Sequence, residues 1–226
     1  PNHKALISLA EFSAREKVKL YIVGGTIRDA ILNRPICDLD FSLPVDAIDF
    51  AKSFAKMLGV KVIVLDEEQK TARLIFYNGD LYMDFSSIRG NDIFEDLLAR
   101  DLTINAMALD FSQLINSDSV ELLDPYKGID DLNNGLVKIP SSQTIMDDPL
   151  RMLRAYRFSA TLGFHIHEGT SSLIGEHPEL LKEPSAERIR DELYKILEVS
   201  DSANYLKAMD RVNLLEQIFP EIIPMK

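Results

Sequence analysis

One stretch near the N-terminus constrains the fold of this chain more than any other. An apolar run at 18–23 has the character of a buried strand and is followed directly by Gly24 and Gly25. The run at 26–32 then carries apolar residues at helical spacing, and 38–43 alternates with the period of a strand. Two glycines at a strand-to-helix turn let the backbone bend sharply and let a ligand approach closely. The stretch therefore predicts a strand, turn, helix and strand with room for a ligand, although a Gly-Gly pair is also an ordinary turn.

Two carboxylates in the second of these strands suggest which ligand that is. Asp38 and Asp40 are two residues apart, so in a strand they point to the same face. Adjacent carboxylates repel unless a cation lies between them, and Mg²⁺ commonly takes one or two carboxylates together with substrate phosphates. Arg28, in the first turn of the helix, is suited to a bidentate phosphate contact. The pair alone is equally consistent with a solvated strand face, but with the glycines and Arg28 it predicts a metal-bound phosphate ligand.

The rest of the chain divides by its periodicity into two parts. Strand-like and helical runs alternate up to about residue 140, and helical spacing dominates beyond it. We expect an N-terminal mixed α/β domain over 1–140 and an all-α domain over 141–226, with the boundary near 138–144. The segment 99–111 is interpreted as beginning in a helix and ending in a strand. The other predicted strands are 60–65, 72–77 and 81–86, the last two joined by a turn at 78–80, and the other predicted helices are 47–58, 147–164, 185–199 and 203–219.

Composition excludes several classes of protein. Hydrophobic residues make up 46% of the 226, yet no apolar run approaches the ~20 residues of a membrane span, and no secretory signal is visible. The single cysteine, Cys37, excludes an internal disulfide framework, fits a reducing cytoplasm and is expected to fill a gap in the core. The net charge of −11, taken alone, argues against a nucleic-acid binder, since phosphate contacts need clustered Lys and Arg.

Five ordered motifs resemble one family. "VGGTIRDAILNRPICDLDFSL" (23–43) is similar to the GG-x-VRD and D-x-D signature of the class II tRNA nucleotidyltransferases and bacterial poly(A) polymerases, within the DNA polymerase β-like superfamily. "EDLLARDLTINAMALD" (95–110), "DPYKGIDDLNNGLVKI" (124–139), "DDPLRMLRAYRF" (147–158) and "SAERIRDELYKIL" (185–197) resemble its later motifs in order. Ile27, Ala99 and Asp147 depart from the usual Val, Arg and Glu. The resemblance implies an α+β fold, with a polymerase β-like head of mixed sheet and helices followed by an all-α neck.

The resemblance also implies a role for individual residues. Asp38 and Asp40 would hold the metal ions, and Asp148 and Arg151 would read the Watson–Crick edge of the incoming nucleotide. Asp148 and Arg151 are three residues apart on a predicted helix, where side chains are neighbours, and they offer acceptors beside a donor fork. Without the other motifs they would be taken for a surface ion pair. The remaining nucleotide contacts implied by the family are Gly25, Arg28, Arg100, Asp101, Arg154 and Arg157.

Two positions stay open at this level, and two histidines need an interpretation. Asp84, in the strand-like run 81–86, is either a third active-site carboxylate or a solvated strand residue. Arg157 lies about half a turn around the predicted helix from Asp148, so it is either a nucleotide contact or structural. His165 and His167 share one face of an extended segment, and without other His or Cys nearby in sequence they are interpreted as surface residues.

The function implied is Mg²⁺-dependent extension of an RNA 3′ end, that of tRNA, in the cytoplasm. The RNA 3′-hydroxyl would attack the α-phosphate of CTP or ATP and pyrophosphate would leave. In this family a short segment between the D-x-D and R-D motifs, here 86–99, is associated with addition of two cytidines only. The helical domains with which relatives grip tRNA are expected to be absent from this chain. A poly(A) polymerase, a catalytically inactive nucleotide-binding module and a small-molecule nucleotidyltransferase remain as alternatives.

Overall fold

The protein is described here by a computed structural model that covers residues 2–76, 81–116 and 119–225. The chain divides into two compact units, the first formed by Pro1–Ala99 with Asn105–Tyr126 and the second by Arg100–Ile104 with Lys127–Lys226. The turn expected at 78–80 lies outside the described residues, and the domain boundary near residue 140 stays a prediction. Within the described ranges, no helix is both long enough and apolar enough to cross a membrane.

The first unit is a mixed α/β structure. Its helices are α1 (Asn2–Glu16), α2 (Gly25–Ile31), α3 (Ala47–Leu58), α4 (Ile93–Leu98) and α5 (Phe111–Asn116). Its strands are β1 (Tyr21–Val23), β2 (Asp38–Leu43), β3 (Lys61–Asp66), β4 (Thr71–Phe76), β5 (Leu81–Ser87), β6 (Ala108–Asp110) and β7 (Leu122–Leu123). These strands form one sheet in the order β3-β4-β5-β2-β1-β6-β7. The β2–β5 pair is parallel and every other pair in the sheet is antiparallel.

The aromatic part of the core of the first unit lies on one face of this sheet, and a second buried cluster, of Val23, Ile93, Leu97 and Ala108, lies on the other face of β1 and β6. Because side chains alternate along a strand, Phe41 of β2 and Phe85 of β5 point to the same face, where their rings stack 5.3 Å apart. Phe54 of α3 and Phe12 of α1 cover that face, with their ring centroids 5.1 Å apart. The opposite face of β2 and β5 is thereby left for polar residues. Packing of the aromatic rings on one face therefore places the carboxylates of β2 and β5 on the opposite face.

The second unit is mainly helical. Its helices are α6 (Gly128–Asn133), α7 (Ser142–Asp147), α8 (Arg151–Leu162), α9 (Glu168–Glu176), α10 (Ala186–Leu197), α11 (Ser202–Arg211) and α12 (Leu214–Ile218). Two short strands, β8 (Leu136–Val137) and β9 (His165–Ile166), pair in parallel. Short 3₁₀ segments cover Pro178–Lys182 and Pro220–Met225, and another covers Thr103–Asn105, of which Asn105 belongs to the first unit. Helix α8 packs against α10 and contributes the fully buried Leu153 and Tyr156. Together the two units confirm the predicted α+β class.

Two of the predicted helices are wrong in their extent. The helix expected over 147–164 begins only at Arg151, because Pro149 disfavours helical backbone at the preceding Asp148, which is extended with φ −154° and ψ 99°. It ends as expected at Gly163, whose φ of 70° closes the helix. The single helix expected over 203–219 is two helices separated at Asn213, which has a φ of 60°.

Candidate active site

A row of charged side chains crosses the polar face of the sheet. Asp40 of β2 is the register partner of Asp84 on β5, and Asp84 is in turn the partner of Arg73 on β4. Asp38, two residues before Asp40, points to the same face and is exposed. Directly paired residues on neighbouring strands have Cβ atoms about 5 Å apart. Three carboxylates and one guanidinium therefore lie side by side, as the same-face argument predicted for Asp38 and Asp40.

Arg73 and Asp84 form a bidentate ion pair within this row. The Arg73 Nε and Nη2 atoms donate to Oδ1 and Oδ2 of Asp84, each at 2.7 Å. The carboxylate of Asp84 raises the pKa of Arg73 above its already high value, with smaller contributions from Asp38 and Asp40. Asp84 is therefore not a solvated strand residue, and the other alternative left open by the sequence, a third carboxylate of the active site, stays a prediction.

The Gly24–Gly25 turn arrives beside Asp40. Strand β1 runs antiparallel to β2 with Ile22 opposite Phe41, so the chain leaves β1 next to the start of β2. Gly24 has φ 63° and ψ −128°, a conformation that glycine tolerates and other residues avoid. A Cβ atom on Gly25 would lie 3.3 Å from Oδ2 of Asp40 and 3.4 Å from Nη2 of Arg28. The absence of side chains here keeps the space beside Asp40 open.

Thr26 ties this turn to the strand that carries the aspartates. Its hydroxyl donates to the carbonyl of Asp38 at 3.2 Å and accepts from the backbone N–H of Asp40 at 2.7 Å. The side chain is buried and thus holds the start of α2 against the β2 backbone. The sequence analysis missed Thr26, and its only signal was its position immediately after the two glycines.

Arg28 is buried at the same place, with its guanidinium bonded on two sides. Its Nε and Nη2 atoms donate to the carboxylate of Asp29 at 3.0 and 2.8 Å. Its Nη1 atom donates to Oδ1 of Asn105 at 2.7 Å. Asn105 was not singled out from the sequence, although it lies inside the quoted motif at 95–110. These contacts hold the Arg28 guanidinium in one orientation next to Gly25.

These residues surround a cavity of about 250 Å³ in the first unit. Its lining includes both glycine-turn and carboxylate residues, namely Gly25, Arg28, Asp29, Pro35, Ile36, Cys37, Asp38, Asp40, Arg73 and Asp84. Cys37 is exposed at this cavity, so the expectation that it fills the core is wrong. Strand β2 begins at the next residue, and the side chain of Cys37 precedes the part of the strand that is packed.

The cavity suits a cation that completes its coordination with other ligands. Among the described residues no cluster of three or more His, Cys, Asp or Glu side chains forms a metal cage. Asp38 and Asp40 offer a pair of hard oxygen ligands on one face, which is the protein contribution that Mg²⁺ commonly takes beside water and phosphate. The donor set therefore fits Mg²⁺ shared with a phosphorylated substrate and does not fit a fully protein-bound metal.

In the second unit, Asp101 and Arg154 form a largely buried ion pair. Arg154 Nε donates to Oδ2 of Asp101 at 2.8 Å, and its Nη2 lies 2.6 Å from the same oxygen. The other oxygen of Asp101 accepts from the backbone N–H of Leu102 at 2.9 Å. The Asp101 carboxylate raises the pKa of Arg154. The two residues were predicted separately as nucleotide contacts, and the structure brings them together.

Arg157 belongs to the same group of charges through Glu192. The Arg157 Nε atom lies 2.6 Å from Oε2 of the buried Glu192. The other oxygen of Glu192, Oε1, lies 3.8 Å from Nη1 of Arg154. The Arg157 guanidinium lies 3.9 Å from the ring centroid of Phe158. Burial lowers the pKa of Arg157. Glu192 was missed by the sequence analysis, because a glutamate on an amphipathic helix gives no sign that it faces two arginines.

Asp148 and Arg151 do not share a helix as predicted, since Asp148 lies in the extended link before α8. Asp148 accepts from the backbone N–H of Leu150 at 3.2 Å and from Nη2 of Arg188 on α10 at 2.8 Å. Arg151 donates through Nη1 to the carbonyl of Thr144 at 3.2 Å. The carboxylate is partly exposed, and each of its oxygens has a second lone pair for a further donor.

The remaining residues named in the sequence analysis, His165, His167 and Arg100, are exposed or partly exposed. His165 is exposed and His167 is partly exposed, and Nδ1 of His167 accepts from the N–H of Gly169 at the start of α9. Arg100 is partly exposed and lies next to the buried Asp101.

Comparison with known proteins identifies the family of this chain. Residues 20–138 match the family described as "Poly A polymerase head domain". The chain belongs to this family. Residues 163–226 match a second description, "Probable RNA and SrmB- binding site of polymerase A". The family predicted from the five motifs, that of tRNA nucleotidyltransferases and bacterial poly(A) polymerases, is thereby confirmed.

Individual relatives resemble this poly(A) polymerase-family chain over most of its length. A CC-adding tRNA nucleotidyltransferase of Geobacter sulfurreducens is 37% identical over 88% of this chain and 45% of its own. An A-adding tRNA nucleotidyltransferase of Halalkalibacterium halodurans is 31% identical over 94% of this chain and 53% of its own. The solved structure of the Thermotoga maritima CCA-adding enzyme with tRNA has a TM-score of 0.83 at 29% identity, covering 97% of this chain and 52% of that one. The chain spans about half the length of the curated relatives it matches.

Proposed function

We propose that this chain is the catalytic part of a tRNA nucleotidyltransferase that adds CMP, and not a terminal AMP, to the tRNA 3′ end with release of pyrophosphate. The observation that carries the proposal is the pair Asp38 and Asp40 on one strand face, beside the open turn at Gly25. The same face in an inactive nucleotide-binding module has no need of two adjacent carboxylates. Family membership and the CC-adding relative at 37% identity support the reaction class.

Asp38 and Asp40 would hold Mg²⁺ through their carboxylate oxygens. When bound, the cation lowers the pKa of an attacking hydroxyl and neutralises charge on the leaving pyrophosphate. Gly25 leaves room for a phosphate group against Asp40, and the buried Arg28 supplies fixed positive charge at the same wall. Because Asp29 and Asn105 already orient Arg28, little side-chain entropy is lost when a phosphate arrives.

In the second unit, Arg100, Asp101 and Arg154 would contact the ribose and phosphates of the incoming nucleotide. The Asp101–Arg154 pair holds both side chains in a fixed orientation. Arg157, which is held by Glu192, would contribute through this ion-pair group and not by direct contact. Asp148 would accept a hydrogen bond from an exocyclic amino group of the base, and Arg151 would donate to the ring or carbonyl acceptors beside it.

The choice of CMP rests on the segment between the last active-site strand and Arg100. After β5 ends at Ser87, five residues lead into α4, and Arg100 follows two residues after the helix. A segment this short leaves little chain for the flexible loop of CCA-adding relatives. In CCA-adding relatives the loop would let the nucleotide pocket change from a conformation that accepts CTP to one that accepts ATP. A pocket without this loop keeps one conformation and accepts one nucleotide, because a ligand shifts a conformational equilibrium only through different affinities for the two conformations.

The test is to incubate the full-length protein and Mg²⁺ with a tRNA lacking its 3′ CCA, adding each nucleoside triphosphate separately, and to size the products. We expect growth by two residues with CTP and none with ATP on either this tRNA or one ending in CC. Efficient addition of one adenosine to the CC-ending tRNA would contradict CC addition and favour an A-adding or CCA-adding enzyme. A long adenosine tail on unrelated RNA would identify a poly(A) polymerase.

A further inference from the structure

Strand β3 lies at one end of the sheet and has an open edge. It pairs with β4 only, so among the described residues one row of its backbone N–H and C=O groups has no partner strand. Such a row is a template for pairing with another chain. Two apolar side chains of β3 are also accessible, since Ile63 is 37% exposed and Leu65 is 48% exposed. The edge of β3 is therefore a surface at which a further strand could add to the sheet.

Strand β3 contains one extra residue. Val64 and Asp66 lie opposite neighbouring residues of β4, Ala72 and Thr71, so Leu65 between them forms a β-bulge. Because side chains alternate along a strand, one inserted residue reverses the face of every residue that follows it. Asp66 therefore points to the face opposite to the one it would have in a regular strand.

The bulge places the two charged ends of β3 on one face of the sheet. Lys61, Ile63 and Asp66 lie opposite every second residue of β4, from 75 to 71. Every second residue of a strand points to the same side. Along the open edge, this face of β3 therefore presents a positive charge, an apolar side chain and a negative charge at equal spacing.

This order of side chains is complementary to itself. If a second copy pairs antiparallel with β3 about a two-fold axis at Ile63, each Ile63 lies opposite the other, and Lys61 lies opposite Asp66 of the partner subunit. The symmetry forms this ion pair twice, and Val62 and Val64 lie opposite each other on the other face. A shift by two positions in either direction would place a charge opposite Ile63 and remove both ion pairs, so the symmetric register is preferred.

Both charges are available for this contact. Lys61 and Asp66 are exposed, and Lys61 forms no ion pair within the part of the chain that the structure describes. One oxygen of Asp66, Oδ1, accepts from the backbone N–H of Gln69 at 2.8 Å in the turn after β3. This bond orients the carboxylate and leaves Oδ2 for an ammonium group. Charges on an edge strand commonly prevent pairing, but here each one would meet its opposite.

We propose that β3 is the interface of a symmetric homodimer, in which the open edges of two copies pair and the two sheets join into one. A second copy fits better than an unrelated peptide, because only the same strand supplies the reversed order of charges. The two-fold axis is perpendicular to the sheet, so the carboxylate faces of both copies lie on the same side. The two β2 strands are then seven strand spacings apart, or ~34 Å. The inference does not depend on the proposed function.

The test is analytical ultracentrifugation of the full-length protein over a range of concentrations. We expect a monomer–dimer equilibrium with a Kd of about 10 μM, as for a small interface. Lys61→Glu and Asp66→Lys each place like charges opposite each other at both pairs, so each variant alone should dimerise about tenfold more weakly. An equimolar mixture of the two variants should associate about as tightly as the wild type, because opposite charges then face each other at both positions.

A control and a local measurement make the test specific to β3. Lys4→Glu makes the same change in net charge on α1, outside the sheet, and should leave the Kd unchanged. The backbone amides of 61–66 should exchange hydrogen more slowly at concentrations where the dimer forms.

Three results would overturn the inference. They are a monomer at every concentration up to about 1 mM, a dimer that Lys61→Glu does not weaken, and a mixture of the two folded variants that associates no better than either alone. Near-ultraviolet circular dichroism checks that each variant is folded. If Asp66→Lys does not fold because it loses the bond to Gln69, Asp66→Asn keeps that acceptor, and its mixture with Lys61→Glu must then associate more tightly than Lys61→Glu alone.

Discussion

Replacement of Gly25 by alanine should separate the stability of the protein from its activity. The new methyl carbon would lie 3.3 Å from Oδ2 of Asp40 and 3.4 Å from Nη2 of Arg28, which is closer than ordinary van der Waals contact. Gly25 begins α2 with a backbone conformation open to other residues, unlike Gly24 before it. The change therefore adds one carbon to the wall of the cavity without straining the main chain.

The expected effects differ in size for folding and for catalysis. Alanine restricts the unfolded chain and gains about 0.4–1 kcal/mol where the backbone tolerates it. The two close contacts offset part of this gain, so the free energy of unfolding should stay within about 1 kcal/mol of the wild type. Asp40 must move by a few tenths of an ångström to accept the methyl. Because a 1 Å misplacement near reacting groups costs about a hundredfold, we expect kcat/KM to fall by about tenfold or more, or about 1.4 kcal/mol.

Gly59 provides a matched control in the same unit. It ends α3 with a φ of 67°, and a Cβ atom there would meet nothing within 4 Å. Gly59→Ala should therefore lose about 1 kcal/mol of stability through left-handed backbone strain and leave kcat/KM unchanged. The assay is single-nucleotide addition of CMP to tRNA at saturating Mg²⁺, together with urea denaturation of both variants. Normal kcat/KM in Gly25→Ala, or an equal loss of activity in Gly59→Ala, would refute the reasoning from the cavity wall.

Three further predictions concern the other site residues. Asp38→Asn and Asp40→Asn should each abolish CMP addition while the melting temperature is kept or slightly raised, since like-charge repulsion is relieved; near-normal turnover with Mg²⁺ would contradict the metal site. Asp148→Ala and Arg151→Ala should each lose about 1–3 kcal/mol of base discrimination, measured by competition among CTP, ATP, UTP and GTP, and unchanged selectivity in both would move base recognition elsewhere. Asp101→Asn should lower the free energy of unfolding in urea by about 1–3 kcal/mol, because it leaves a sheltered arginine without its main partner; a loss below the error of the measurement would mean that solvent screens the pair.

The elements around the carboxylates were predictable where local signals agree with the packing. Strand β2 and helix α3 have the bounds expected from the sequence, at 38–43 and 47–58. In α3 the apolar spacing is reinforced at both ends, since Asp46 accepts from the N–H groups of Ile48 and Asp49 and Gly59 adopts the left-handed conformation. The hydrophobic pattern alone was enough to predict the bounds of β2 and α3, because no tertiary contact opposes the local preference there.

Predictions from helical periodicity failed where a single residue interrupts the backbone. Asp148 precedes Pro149, and this steric restriction outweighed the apolar spacing that continued through it. Asn213 interrupts the apolar pattern at 203–219 in the same way, by adopting a left-handed conformation that asparagine tolerates better than most residues. The consequence for the site is direct, because Asp148 reaches Arg188 of α10 from the extended link and not from a helix shared with Arg151.

The partner of Asp84 was beyond local sequence signals for a different reason. Its ion pair depends on the register of β4 against β5, which places Arg73 opposite Asp84 rather than opposite Tyr82 or Ser86. A slip of one residue would turn the arginine to the buried face, where Ala72 and Leu74 pack. The apolar face therefore sets the register, and the register then decides which charge neutralises which carboxylate. In this protein the hydrophobic packing on one face of the sheet determines which charged residues pair on the other face. The ion pair of Asp84 with Arg73 therefore follows from the residues packed on the opposite face of the sheet.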